Sequence, residues 1–240
     1  MRYALVGTAT DRPEVLDASL SAWDRARGLL GPAGWFPSLL VEPTAAREAV
    51  LDVVERHQGW DAVMNPKVHG VLSNPWHAFE HGFWTLRAAF VVLAEDDVAV
   101  SSDVLEYMAW AAHEFAYDRD VLAVCAYGGP GDGDLRLVRR GDSFSPHVWG
   151  TWVDRWEEHL RDTWDHDYST FNGRPGHQAG FDWNIHTRLM PARGLQVVVP
   201  DVSRAQHIGR TGVHMTPDAF AASQVRDFRP DIPPQRYGWA

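Results

Sequence analysis

Phe90-Val91-Val92-Leu93-Ala94-Glu95-Asp96-Asp97-Val98 joins an apolar, β-favouring run to three consecutive carboxylates. The run suits a buried strand, but charged side chains are costly to bury unpaired. The acids are therefore expected at the carboxyl end of that strand, on the edge where open α/β sheets bind ligands. Three carboxylates so close repel one another unless a cation or hydrogen bonds hold them. A hard divalent cation bound through oxygen, carrying substrate phosphates on its remaining positions, would meet that need.

Towards the N-terminus, Tyr3-Ala4-Leu5-Val6-Gly7 reads as a first buried strand running into the polar turn Thr8-Ala9-Thr10-Asp11-Arg12-Pro13. The helix that follows spaces Leu16, Leu20 and Trp23 on one face. Arg12 then stands near the start of that helix, where anions are favoured; the competing reading is a surface arginine in a loop. Residues 37–41 give a second strand, closed by Glu42-Pro43, and Thr44 is expected to cap a second helix carrying Ala46, Val50, Val53, Val54 and His57. Ala62-Val63-Met64 is a third strand and residues 69–73 a loop. Asn74 is expected to cap a helix with Pro75 in its first position. Beyond the acids, Ser102 reads as an N-cap and Val104, Met108, Ala111 and Phe115 as a buried stripe. Residues 121–126 make another strand, with Cys125 a small apolar member of it. Strands alternating with helices predict an α/β fold with a parallel sheet.

Gly128-Gly129-Pro130-Gly131-Asp132-Gly133-Asp134 marks a break. After it, Trp149, Trp152 and Trp156 fit one helix face, and residues 170–180 read as a loop. That loop leads to Phe181-Asp182-Trp183-Asn184, the start of a helix through Met190. Residues 195–199 make a last strand, closed by Pro200-Asp201. The stretch from Val202 to His214 holds two glycines, two arginines and two histidines, the content of a ligand-contacting loop. The organisation expected is one domain over residues 1–228, with a first half to residue 127 and a second half beyond it, and an irregular Pro-rich tail over 229–240.

Composition narrows the classes. The chain has 240 residues, 45% hydrophobic, with a net charge of −10, which argues against nonspecific nucleic-acid binding. Lys67 is the only lysine among 22 basic residues, a bias that fits a GC-rich bacterial or phage genome. Cys125 stands alone, excluding an intrachain disulfide and a cysteine zinc site. With no signal peptide and no apolar run of membrane-spanning length, a cytoplasmic protein is expected. Most of the twelve tryptophans are expected in the core.

The Arg12 turn, Glu95-Asp96-Asp97, Asp182-Trp183, and Pro200-Asp201-Val202-Ser203-Arg204 running into Gly209 and Gly212 form an ordered set. In that order they resemble the N-acetylglucosaminyltransferase I / protein O-mannose N-acetylglucosaminyltransferase family of GT-A glycosyltransferases. The resemblance implies a GT-A (Rossmann-like) fold and inverting transfer from a UDP-sugar, usually UDP-N-acetylglucosamine, with manganese or magnesium. It matches Asp97 to the metal-coordinating acid, and Asp96 and Glu95 to contacts with the donor's ribose and sugar. It matches Thr8, Arg12 and Glu42 to the nucleotide cradle, Asp182 to the catalytic base, and the loop from Gly209 to His214 to a segment closing over the donor. A metal at Asp97 would neutralise the departing diphosphate, and Asp182 would take the acceptor's proton; Asp182 is alternatively a helix N-cap. His207 is either a second metal ligand or a hydrogen-bonding loop residue. Arg204 and Arg210 are both candidates to clamp the diphosphate, with Arg210 the mobile one and Arg204 structural. Trp183 and His214 are acceptor-side candidates.

Residues 144–180 match that family poorly, so the acceptor (a glycan, protein, small molecule or modified base) is left open. Two other classes use the same carboxylates: a nucleotide-sugar-binding protein without turnover, and a nucleotidyltransferase or phosphohydrolase. The former would release no nucleoside diphosphate from the donor, and the latter would release pyrophosphate or orthophosphate.

Overall fold

The structure, a computed structural model, describes residues 1–30, 34–128, 133–167, 170–171, 178–212, 215–224 and 228–239. Its first half contains β1 (Tyr3–Ala9), α1 (Pro13–Leu30), β2 (Trp35–Val41), α2 (Arg47–Arg56), β3 (Asp61–Met64), α3 (Gly70–Glu80), β4 (Phe90–Ala94), β5 (Val98–Val100), α4 (Val104–Glu114) and β6 (Val121–Cys125). The second contains β7 (Leu137–Gly141), β8 (Val148–Trp152), α5 (Val153–Arg155), β9 (Thr170–Phe171), β10 (Gln178–Ala179), α6 (Phe181–Asn184), α7 (Met190–Arg193), β11 (Gln196–Pro200), β12 (Ala205–His207), α8 (Pro217–Ser223) and β13 (Gly238–Trp239).

Among the described residues, one nine-stranded sheet runs β13-β7-β11-β6-β8-β4-β1-β2-β3. Strands β3, β2, β1 and β4 are mutually parallel, so their carboxyl ends share one edge. Strand β8 is antiparallel to both β4 and β6, while β11 is parallel to β6. Because β8 sits inside the first half's strands, the two halves of the chain share one sheet. The result is the mostly parallel α/β sheet expected for the GT-A fold.

The deciding strand shows why its sequence lacks polar alternation. Phe90, Val92 and Ala94 of β4 enter a core with Leu16, Trp23 and Met108, whereas Val91 and Leu93 enter a second core with Phe79, Trp149 and Trp156. Both faces of β4 are covered, so every residue gains from being apolar. Phe90, Val91, Val92 and Leu93 each contribute ~1.5–3 kcal/mol by leaving water. The first residue that cannot join either core is Glu95, and there the strand stops.

Several expectations are corrected. Trp149 and Trp152 lie in β8, on opposite faces of the sheet, rather than on a helix with Trp156. Helix α3 begins at Gly70, so residues 70–73 are helical and Pro75 is internal. Asn74 accepts a hydrogen bond from Asn65 Nδ2 (2.9 Å) instead of capping. The Thr44 hydroxyl donates to the Thr10 carbonyl (2.9 Å) and the Ser102 hydroxyl to that of Ile232 (2.9 Å), so neither caps its helix. Within the tail, residues 229–237 carry no regular element, although Ile232 is buried and β13 pairs with β7. Most of the expected loop over 170–180 lies outside the described residues; β9 and β10 pair antiparallel within it.

Candidate active site

The turn after β4 carries Glu95, Asp96 and Asp97, and the β1–β4 register (Gly7 opposite Ala94) sets the Arg12 turn beside it. Arg12 spans the acids: Nη1 donates to Asp97 Oδ2 at 2.8 Å and Nη2 to Asp96 Oδ1. Nη1 also reaches the Thr211 carbonyl at 3.1 Å. Asp96 and Asp97 are buried, and Arg12 keeps 27% side-chain exposure. Burial pushes the Asp96 carboxyl up to about 7, with Arg12 opposing the rise. Burial also acts to raise Asp97, but His207 and Arg12 outweigh it and leave that carboxyl below its ordinary value. For Arg12, burial pulls downward and the two aspartates prevail, so its guanidinium holds its proton more tightly than usual.

A second element, unread in the sequence, completes the cluster. Strands β5 and β12 form an antiparallel ribbon with Val98 opposite His207. The Ile208 amide donates to the Asp97 carbonyl at 2.8 Å, extending the ladder. His207 is thereby buried with Nε2 3.2 Å from Asp97 Oδ2. Its Nδ1 is buried without a partner among the described residues. Gly209 then crosses directly over Asp97: a Cβ there would lie 2.6 Å from Asp97 Oδ2 and 3.1 Å from Arg12 Nη1. Only glycine lets the backbone approach this closely.

His147 was missed from sequence. It precedes β8, whose register with β4 (Val148 opposite Ala94) sets it opposite Glu95. Its Nδ1 lies 3.3 Å from Glu95 Oε2. Its ring centroid is 5.2 Å from that of His207 and 4.9 Å from that of Tyr127. Burial acts to lower the imidazole's pKa, but the Glu95 bond and the fields of Glu95, Asp97 and Asp182 overcome it and raise the value. Burial raises that of Glu95, against His147. The signal was present in Phe144-Ser145-Pro146-His147, a proline-bounded lead into an apolar run, had that run been read as a strand.

Asp182 lies in the first turn of α6, capped at its N-terminus by Gly180 with no side-chain cap. The N-cap reading of Asp182 is thus set aside. Phe181 stacks on Trp164 at 4.2 Å, and a Cβ on Gly180 would lie 2.3 Å from Leu72 of α3. That packing fixes the start of α6, and the field of Asp182 reaches His147. Among the described residues the Asp182 carboxylate has no hydrogen-bond partner, although its carbonyl accepts the Ile185 amide, and Trp183 beside it is exposed.

The remaining candidates divide. Thr8 is partly exposed at the carboxyl end of β1. Arg210 is exposed, its guanidinium 5.7 Å from the Phe220 ring centroid. His214 lies outside the described residues. Two candidates are enclosed. Glu42 is fully buried and accepts the His69 and Gly70 amides (2.8 and 3.3 Å), capping α3 rather than facing a nucleotide. Arg204 is fully buried, donating to Asp103 Oδ2 at 3.1 Å and to the Val202 and Leu135 carbonyls, which leaves it no reach to a diphosphate.

The residues at the edge fit a hard divalent cation that draws most of its ligands from a substrate. Asp97, in the turn before β5, and His207, on β12, offer one oxygen and one nitrogen side by side, and a cationic group, Arg12, already stands against the acids. No group of three or more His, Cys, Asp or Glu among the described residues is placed to hold a metal by itself. Two protein donors with the rest from phosphates and water is the usual provision for magnesium-like ions.

No known protein-family profile matches the chain. Among solved structures, S. aureus TarS 1-349 in complex with UDP-GlcNAc matches with a TM-score of 0.61 at 12% identity, over 93% of this chain and 64% of that one. S. aureus TarS 1-349 matches at 0.60 and 9% identity, over 93% and 63%. A further S. aureus TarS structure matches at 0.61 and 9%, over 87% and 37%. The chain therefore spans less than two thirds of the length of the TarS structures it matches. No helix among the described residues is long and apolar enough to cross a membrane. At these identities the likeness is one of fold: the chain has the mostly parallel, helix-flanked α/β architecture that it shares with S. aureus TarS.

Proposed function

We propose that the chain is a metal-dependent glycosyltransferase that moves an N-acetylglucosamine-like sugar from a UDP-sugar to an acceptor hydroxyl, with inversion at the anomeric carbon. The observation that carries this is the meeting of Asp97, His207 and Arg12 at the carboxyl edge of the sheet, with Asp182 on a separate helix close enough for its field to reach His147. Asp97 and His207 would hold a manganese or magnesium ion, whose charge would offset that developing on the departing diphosphate. Arg12, released from the acids, offers a two-pronged donor to the same phosphates. Asp182 accepts the acceptor's proton as its oxygen attacks the anomeric carbon and the bond to UDP breaks. Its carboxylate has no partner among the described residues, which leaves it free to do so. A chain of similar fold has been crystallised with UDP-GlcNAc, which makes that the first donor to try.

The test is thermal shift and donor turnover with UDP-GlcNAc and manganese. Wild type should be stabilised by the pair and release UDP slowly even without acceptor. Asp97→Asn should lose the metal-dependent stabilisation. Asp182→Asn should keep it while transfer falls ~10²–10⁴-fold. Release of pyrophosphate or orthophosphate would instead favour nucleotidyl transfer or phosphohydrolysis, and intact transfer by Asp182→Asn would refute the base assignment.

A further inference from the structure

We propose that His147 is a positioning residue that fixes the Glu95 carboxylate against the transferred sugar of the donor. The inference rests on the glycosyl-transfer reading and deepens it. The anomeric carbon must lie between the diphosphate, held near Asp97, and the base Asp182. The Glu95–His147 pair borders that interval: His147 makes ring contact with His207, the partner of Asp97, and senses the field of Asp182. Glu95 Oε2 is engaged by His147 Nδ1, whereas Oε1 has no hydrogen-bond partner among the described residues and the side chain retains 24% exposure. One oxygen is thus held and the other left to receive a hydroxyl or amide proton. Tyr127 supports the arrangement from behind, its ring edge-on to His147 and its hydroxyl donating to the Ser223 carbonyl at 2.6 Å. Such a contact would read the sugar and not the nucleotide.

That distinction gives the test. Binding of UDP and of UDP-GlcNAc, each with manganese, is measured by calorimetry on the full chain and on His147→Ala, His147→Asn, His147→Gln and Glu95→Gln. The expected result for His147→Ala is UDP affinity within about twofold of wild type, and UDP-GlcNAc affinity lower by about tenfold. His147→Asn should restore most of that loss, because its amide nitrogen reaches the place of Nδ1; His147→Gln, which mimics Nε2, should not. Glu95→Gln combined with His147→Ala should cost no more than either alone. A wild type that binds neither ligand overturns the glycosyl-transfer reading and this inference with it. A wild type that binds both, with His147→Ala weakening neither or weakening both equally, overturns the inference alone, as does a His147→Asn no better than His147→Ala. If His147→Ala fails to fold, the contrast between His147→Asn and His147→Gln decides the matter.

Discussion

The β5–β12 ribbon carries an arginine–carboxylate cluster near each end, and the two differ in everything but residue type. At the far end Arg204 and Asp103 are both fully enclosed, and Asp103 accepts from Arg204 (3.1 Å), Ser101 (2.7 Å) and Tyr237 (2.9 Å). At the sheet edge Arg12 is partly exposed, and one of its partners is the carbonyl of Thr211 in an exposed stretch of loop. The sealed cluster has nothing left to offer a ligand; the open one can exchange each contact for a phosphate oxygen. Ion pairing alone therefore does not mark a site; incomplete enclosure is what makes the open cluster the candidate. The sealed end ties the ribbon to α4 and the C-terminal tail, and Asp97 and His207 lie at its other end.

The largest expected effect separates the two arginines by stability. Arg204→Met strands a buried carboxylate and should cost ~3–5 kcal/mol of unfolding free energy. Arg12→Met should cost less, because Arg12 is partly exposed and water can take up part of its pairing. Urea unfolding measures both, and equal losses would break the comparison.

The open end should also betray itself by pH in metal-free buffer. Folding raises Asp96 from 3.8 to about 7, so the folded chain holds that proton more tightly. Its stabilising contribution is full below the unfolded value and is lost as pH rises through about 7. At ~1.4 kcal/mol per pH unit, this sums to roughly 4 kcal/mol across the window. Asp97 works oppositely: its contribution is present above the unfolded value and lost as pH falls through the lower folded one. Asp96→Asn should flatten the decline in stability between pH 4 and 7; an unchanged slope in that variant would assign the decline elsewhere.

Smaller, but specific to the open end, is the loss of nucleotide affinity. Arg12→Met should weaken UDP binding ~10–100-fold at low salt, because it removes a two-pronged charged donor. Arg12→Lys should fall between, retaining charge without the fork. Calorimetry of both variants against UDP checks this; binding at wild-type strength in Arg12→Met would reduce Arg12 to a bridge between the acids and the loop.

How much of this was legible follows from what is local. The carboxyl edge was readable because Phe90–Ala94 is uniformly apolar and Glu95 is the first residue that neither core can take. Arg12 and Asp97 could be singled out from their own short stretches, whereas Asp182 was marked only by the family resemblance. What failed depended on distant partners. Trp149, Trp152 and Trp156 have helical spacing, yet β8 is buried on both faces, and such a strand leaves no alternation to read. Misreading β8 hid His147, because its meaning comes from standing opposite Glu95 across two strands. The start of α3 was misjudged because its cap, Glu42, arrives from β2 rather than from the preceding residues. Arg204 and Arg210 lie six residues apart in one stretch. Arg204 is the one read as structural from sequence, and Tyr237 and Leu135 are what close over it.

The smallest effect probes that closure. Tyr237 reaches Asp103 from the C-terminal tail, its hydroxyl donating at 2.9 Å while its ring centroid stands 5.9 Å from the Arg204 guanidinium and 5.3 Å from that of Trp110. Tyr237→Phe keeps the ring and removes one of three donors to a buried carboxylate, so stability should fall by ~1–2 kcal/mol with UDP affinity unchanged. Combined with Arg12→Met, the stability losses should add within ~0.5 kcal/mol, since the clusters share no partner. A Tyr237→Phe chain that binds UDP more weakly would mean that the tail's grip on Asp103 is felt at Asp97. The ribbon would then be a lever between the two clusters rather than a rigid spacer.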